Sequence, residues 1–367
     1  MRTYLEVNLT NIKNNIKEIR KVSNSKIIAV IKSDAYSLGA VRIAKTLEEE
    51  NIDFFAVCTI KEALELRENN IKSDILILSK VFEDEYYLLK NNNFTLAVYS
   101  LEELAELNKY LLKENICINA HLKIDTGMTR LGFIYTKNKK EIENIIKAFN
   151  FSNIKIKGIY SHLSSSDEID TKYSDMQIEN FNELLKVLKQ KNIDYGYTHL
   201  FASHGILNYK ENYDYIRPGI IMYGLTVRED LKNNSNIKLL PVVKLYSRII
   251  SIKKVPKDVA VSYSRLFTTD KPTSIAVVSI GYADGYPRNL SNDFYVYINN
   301  QKCNILGRIC MDHMMVDVTD KNVKVGDMVE IFGDNIKIDD ISKKLNTINN
   351  DILCMIKKRV EIKYIEN

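Results

Sequence analysis

The chain has 367 residues, 45% hydrophobic and 27% charged, with a formal net charge of +5. That length accommodates two domains, or one large barrel with a smaller companion. Lys and Glu are interspersed without a long basic block, which argues against nucleic-acid binding, and no apolar run approaches the roughly 20 residues of a membrane span.

Met1 to Asn11 is polar and alternating, so no signal peptide is expected. Tyr4 to Asn8 alternates as a short strand, and Thr10 is placed to cap a helix over Asn11 to Val22. Lys26 to Ile31 is an apolar, branched run that predicts a buried strand of parallel sheet. Lys32 follows at its C-terminal end, where α/β folds carry their chemistry. Desolvation there lowers a lysine's pKa and frees the amine to attack a carbonyl. A solvated lysine that merely caps the strand is the alternative.

Further apolar segments recur at Phe54 to Cys58, Ile75 to Leu78, Thr95 to Val98, Ile118 to Ile124, Ile156 to Ser161, His199 to Phe201 and Tyr215 to Ile221. Amphipathic helical stretches lie between them, at Ile60 to Glu68, Leu101 to Leu112, Lys140 to Phe149 and Met176 to Lys191. Strand then helix, about eight times over, predicts an α/β fold with an N-terminal (β/α)8 TIM-type barrel. A doubly wound sheet is the alternative, but the Gly-x-Gly-x-x-Gly loop that would favour it is absent.

Near Leu225 the helical periods fade. Leu240 to Lys253, Ser274 to Ser279, Phe294 to Ile298 and Met328 to Phe332 read as strands, Ile338 to Leu345 as a helix, and Ile352 to Tyr364 as strand again. The polar run Arg228 to Asn236 marks the boundary, giving a barrel over 1–230 and a C-terminal mainly-β domain over 231–367. Cys58, Cys117, Cys303, Cys310 and Cys354 are scattered, with no Cys-x-x-Cys pair. This odd set points to a reducing, cytoplasmic compartment with thiols as small core residues, and against disulfides or a zinc site.

Several strand ends carry groups suited to chemistry. His121-Leu122-Lys123-Ile124-Asp125-Thr126-Gly127-Met128-Thr129-Arg130-Leu131-Gly132 sets two cations and a carboxylate together, for anion binding or as a salt-bridged barrel mouth. His162, just past the sixth strand, is either a core histidine or a site group.

Taken with their flanks, these strings resemble the alanine racemase family, which uses pyridoxal 5'-phosphate. Ala29-Val30-Ile31-Lys32-Ser33-Asp34-Ala35-Tyr36-Ser37-Leu38-Gly39 resembles the family's A-V-V-K-A-N-A-Y-G-H-G, departing at Asp34, Ser37 and Leu38. The Lys123–Arg130 string resembles K-x-D-T-G-M-x-R. Arg217-Pro218-Gly219-Ile220, Val261-Ser262-Tyr263, Ile280-Gly281-Tyr282-Ala283-Asp284-Gly285 and Leu306-Gly307-Arg308-Ile309-Cys310-Met311-Asp312 follow in the family's order.

The resemblance implies that Lys32 forms the Schiff base and that Tyr36, Ser203, Gly219 and Ile220 bind the cofactor phosphate. It implies that His162 lies against the cofactor ring and that Arg217 faces the pyridine nitrogen. An arginine only donates and stays charged, so the ring becomes a poorer electron sink, which suits proton removal and return at one carbon. By the same resemblance Arg130, the Met311 backbone N–H and Tyr282 bind substrate, and Asp167 lines its access corridor. Lys123 carries a carbamate that holds Arg130. Lys32 and Tyr263 are two bases on opposite faces, Lys32 on the D side and Tyr263 on the L side.

The expected protein is therefore a racemase of L- and D-alanine, a cytoplasmic homodimer with a site shared between chains, with no nucleic-acid or membrane partner. Alternatives are a racemase of another small amino acid such as serine, a decarboxylase, a pyridoxal-phosphate carrier, or an inactive paralogue. Arg217 stands where a decarboxylase would carry an acid, and the second domain with Tyr263 and Met311 speaks against a carrier. The paralogue is suggested by departures at Phe201, Ala202, His204, Ser264, Asn350, Asp351, Lys358 and Glu361-Ile362.

Overall fold

The computed structural model describes residues 1–226 and 236–366, and the expected boundary at 230/231 lies outside them. The chain divides into two units. One comprises Lys13–Ala35 and Ala40–Leu240; the other comprises Met1–Ile12, Tyr36–Gly39 and Pro241–Asn367.

Strand β1 (Tyr4–Asn8) opens the chain and belongs to the second unit. The first unit is built on β2 (Lys26–Ile27), β3 (Ala29–Val30), β4 (Phe54–Val57), β5 (Asp74–Ile77), β6 (Thr95–Val98) and β7 (Ile118–Asp125). It continues with β8 (Phe133–Ile134), β9 (Ile154–Tyr160), β10 (Tyr197–Ala202) and β11 (Tyr215–Arg217). Every pairing among them is parallel, in the order β2-β11-β10-β9-β7-β6-β5-β4-β3, with β8 beside β7.

The predicted strand Lys26 to Ile31 is split into β2 and β3, which pair on opposite sides. Ile27 faces Ile216 of β11, and Ala29 faces Phe55 of β4. The two short pieces thus close the ring, and the predicted barrel is present.

Burial explains the apolar runs. Each residue of β4 and of β6 is buried, as expected for parallel strands covered on both faces. Ile28, Val30, Phe54, Ala56, Leu76, Ala97, Tyr99, Tyr160 and Tyr215 form one cluster. Burying each of Ile28, Val30, Phe54 and Leu76 there stabilises the fold by about 1.5–3 kcal/mol. The surrounding helices bury one stripe each; in Ala40–Glu49 it is Ile43, Ala44 and Leu47.

The second unit is mainly β, as predicted. It adds β12 (Val243–Val255), β13 (Ala260–Val261), β14 (Phe267–Thr268), β15 (Thr273–Val278) and β16 (Tyr295–Ile298). It ends with β17 (Gln301–Asn304), β18 (Met314–Asp317), β19 (Met328–Phe332) and β20 (Glu361–Ile365). The main sheet runs β17-β16-β19-β12-β1-β20, with β15 branching from β12 and β18 pairing with β15.

Four expectations need correction. The N-terminal strand, expected within the 1–230 barrel, instead pairs antiparallel with β12 and parallel with β20, because Leu5 and Val7 bury their faces in that sheet. Thr10 does not cap the first helix; Leu9–Val22 begins before it, and the Asn8 side chain accepts from the Asn11 N–H at 3.0 Å. The stretch Ile352 to Tyr364 is not one strand. Asn349–Met355 is helical, burying Asn349, Ile352 and Leu353, and only Glu361–Ile365 is extended. Of the cysteines only Cys303 is buried. Among the described residues no helix is long and apolar enough to cross a membrane.

Candidate active site

Lys32 lies just past β3, as its sequence position requires. The next five residues depart from ordinary backbone geometry. Ser33, Asp34, Ala35, Tyr36 and Ser37 have φ of 55°, 53°, 52°, 62° and 66°, a left-handed turn built from L-residues. Each such residue costs roughly 1–2 kcal/mol, so the surroundings must hold the turn. Glu62 does so from the start of the helix Ile60–Glu68. One carboxylate oxygen accepts from the Ser33 N–H at 2.6 Å, the other from Cys58 and Thr59 at 2.7 and 3.1 Å. Asp34 accepts from the Ala40 N–H at 2.7 Å, which gives this departure from the family pattern a role at the start of the next helix. Gly39 has φ +87°, and a Cβ there would lie 2.0 Å from the Tyr364 hydroxyl, so a side chain is excluded twice over.

The end of the neighbouring strand, β11, is organised by Arg217, which is buried there. One terminal nitrogen donates to His199 Nδ1 at 2.7 Å. The other donates to the carbonyls of Ser161 and Leu200 at 2.8 and 2.9 Å and reaches His162 Nδ1 at 3.3 Å. Its Nε–H bonds to no described residue. Arginine only donates, so both histidines accept at Nδ1 and, when neutral, carry their proton on Nε2. They are held neutral: burial, then Arg217, pushes both well below the usual histidine range. Burial also pulls Arg217 down, to about 10, which leaves it charged at neutral pH.

Tyr160 makes a shelf beneath this network. Its ring stacks on His199 at 4.6 Å, with Arg217 at 5.2 Å and the Lys123 amine at 5.5 Å from its centre. Lys123 itself is buried and its Nζ has no hydrogen-bond partner. Burial, then Arg217, pulls its pKa down to about 8.

Asp125 shapes the loop after β7. It accepts the N–H groups of Gly127, Thr129 and Arg130 at 2.9, 3.0 and 3.0 Å. Burial pushes this carboxyl up, but those three donors leave it below the usual carboxylate range. The loop holds Arg130 exposed, with its guanidinium donating to no described residue. Ser203 and Gly219 meet directly, the Gly219 N–H donating to Ser203 Oγ at 3.0 Å. Ile220 opens the short helix Ile220–Tyr223, so its N–H has no intrahelical acceptor. Phe201 departs from the family's small residue by filling core space, stacked on Tyr209 at 5.4 Å.

In the β unit, Tyr263 stands between Ser262 and Ser264, both at positive φ, and is 65% exposed. Met311 and Tyr282 are also exposed. Tyr282 and Ala283 donate their N–H groups to the carbonyls of Cys310 and Met311 at 3.1 and 3.0 Å, tying the two motifs together. A Cβ at Gly281 would sit 2.3 Å from both carbonyl oxygens. Below them the buried Asp284 binds Arg2 and Arg359, and Arg359 also reaches Asp312 at 2.9 Å.

The first unit therefore brings Arg217, His162 and Lys123 to one barrel mouth, and the second brings Tyr282 and Met311 together. The sequence by itself assigns no role to Glu62, His121 or His199. For the histidines the one signal is an imidazole inside an apolar strand; Glu62 offers only a capping-box spacing. Among the described residues no group of His, Cys, Asp and Glu is arranged to hold a metal.

A family profile described as alanine racemase, N-terminal domain matches residues 7–227, and one described as alanine racemase, C-terminal domain matches residues 242–364. The chain is 40% identical to an alanine racemase of Methanococcus maripaludis, covering 99% of this chain and 98% of that protein. It is similar to the solved alanine racemase of Clostridium difficile 630, with a TM-score of 0.94 and 36% identity over 100% of this chain and 96% of that one. The alanine racemase of Bartonella henselae, solved with covalently bound pyridoxal phosphate, superposes with a TM-score of 0.88 at 30% identity, covering 100% of each chain.

Proposed function

The chain belongs to the alanine racemase family, and from that membership and the barrel-mouth geometry we infer how its residues divide the work. The activity is interconversion of L-alanine and D-alanine with pyridoxal 5'-phosphate as cofactor. The residues present fit that cofactor. Ser203 and Ile220, either side of Gly219, gather a hydroxyl and an uncommitted backbone N–H of the kind a phosphate needs, with Tyr36 adding a second hydroxyl. Arg217 has a spare Nε–H for a ring nitrogen. When bound, the cofactor withdraws electrons from the α-carbon of an amino acid.

Lys32 holds the cofactor covalently and handles the α-proton on the D face. Tyr263 handles it on the L face. His162, with Nδ1 engaged by Arg217, presents Nε2–H as a donor toward the Tyr263 oxygen. Arg217 keeps the ring nitrogen unprotonated and so moderates electron withdrawal. Arg130 and the Met311 N–H grip the substrate carboxylate, beside Tyr282. A carbamate on Lys123 orients Arg130.

The barrel, assigned to 1–230, carries the cofactor; the β domain, 231–367, carries Tyr263, Tyr282 and Met311 to the site of a partner subunit. The same proposal includes a homodimer working in the cytoplasm, supported by five free cysteines. Arg217 is the observation that carries this reading, because both terminal nitrogens are engaged by histidines and carbonyls while its Nε–H is bonded to no described residue.

The test is Tyr263→Phe in deuterated solvent. This variant should lose racemisation yet still exchange the α-hydrogen of D-alanine through Lys32, and exchange that of L-alanine far more slowly. Equally slow exchange of both enantiomers would show that Tyr263 is not a face-specific base.

A further inference from the structure

Behind Arg217 the hydrogen-bond chain continues one residue deeper. His199 accepts from Arg217 at Nδ1, so its proton sits on Nε2, and that nitrogen lies 2.9 Å from His121 Nδ1. His121 must accept there, which puts its own proton on Nε2. His121 stands on β7 and is buried. A matching socket receives it: a Cβ at Gly158 would fall 2.8 Å from His121 Nε2 and 2.9 Å from two ring carbons. Gly158 has no positive φ, so its missing side chain answers to the imidazole and not to the backbone. Phe54 closes the other side, edge to face at 5.7 Å.

We propose that His121 is a positioning residue for the racemase reaction: by accepting from His199 it fixes that ring's tautomer and angle, and thereby holds Arg217 with its Nε–H aimed at the cofactor nitrogen. Burial, then Arg217, pulls His121 down to about 3, so it stays the neutral acceptor that this chain needs. The inference rests on the reading of Arg217 given above. His121 touches neither substrate nor cofactor and acts only through His199.

The test uses holoenzyme with cofactor 15N-labelled at its ring nitrogen, comparing His121→Phe, His121→Asn and Gly158→Ala, with Arg217→Lys as control. Phenylalanine keeps the ring's bulk and loses the acceptor; asparagine keeps an acceptor near the Nδ1 position and loses the bulk. His121→Phe should lower kcat for alanine about tenfold, with KM unchanged, and move the 15N resonance toward the protonated ring. His121→Asn should recover most of both. Gly158→Ala, which displaces the imidazole without removing it, should resemble His121→Phe and serves if that variant fails to fold.

A purely packing role predicts the reverse order, with phenylalanine better than asparagine, and that order would overturn the proposal. So would a resonance moved by Arg217→Lys but by neither His121→Phe nor Gly158→Ala. A resonance unmoved by Arg217→Lys would instead overturn the reading of Arg217 itself.

Discussion

Lys123 shows how one residue's environment dictates its chemistry. A buried amine with no acceptor, close to Arg217, cannot comfortably hold a proton. Its pKa of about 8 lies below the ordinary lysine value of about 10.4. The folded state therefore disfavours the cation. The stability tied to this group is complete above the unfolded pKa and is lost as pH falls through about 8. A carbamate removes the conflict: the neutral nitrogen bonds to the carbon of CO2, one proton leaves, and the product is an anion beside two arginines. With 13C-labelled bicarbonate the protein should show a carbamate carbonyl resonance that weakens as pH falls below about 8. Lys123→Met should lack it and raise KM for alanine about tenfold, roughly the worth of one charge-assisted hydrogen bond. A resonance that survives Lys123→Met places the modification elsewhere.

Among the elements, the left-handed turn after Lys32 is the one that ordinary propensity would never build. Serine, aspartate, alanine and tyrosine all prefer negative φ. The turn persists because its backbone groups are captured from outside, above all by Glu62, whose carboxylate also closes the capping box of its own helix with Thr59. The strain sits next to the lysine proposed to carry the chemistry, as backbone strain at functional sites commonly does. Glu62→Ala leaves the Ser33, Cys58 and Thr59 N–H groups without their acceptor. It should cost about 1–3 kcal/mol, read as a lower melting temperature, and weaken cofactor retention at Lys32. Unchanged melting together with unchanged cofactor affinity would mean that the turn holds itself.

At the scale of the molecule, Tyr263, Tyr282 and Met311 are left exposed in the isolated chain. For residues proposed to face a reacting carbon, the proposed partner subunit supplies the enclosure that they lack here. Lys32→Ala and Tyr263→Phe should each be inactive as homodimers. Mixed under conditions that exchange subunits, they should regain activity, because a hybrid dimer retains one site with both bases intact. Absence of recovery despite demonstrated exchange would place both bases of each site in one chain.

The sequence alone determined the strands of the barrel, because parallel barrel strands are buried on both faces and announce themselves as apolar runs: Phe54–Val57 and Thr95–Val98 read correctly from composition. It also determined the motif residues, through resemblance rather than through periodicity; nothing in composition marks Tyr263 among 22 tyrosines. Other features were decided only in three dimensions. Tyr4–Asn8 joins β12 and β20, an alliance between the two ends of the chain that no local window contains. Asn349–Met355 is a helix because Ile352 and Leu353 find buried positions on one side of it, which overrides a strand-like composition. The chain Arg217–His199–His121 runs across β11, β10 and β7, residues far apart in sequence that become neighbours only when the barrel closes. Closure is also what makes Lys123 chemically special, since its shifted pKa comes from burial and from an arginine supplied by another strand.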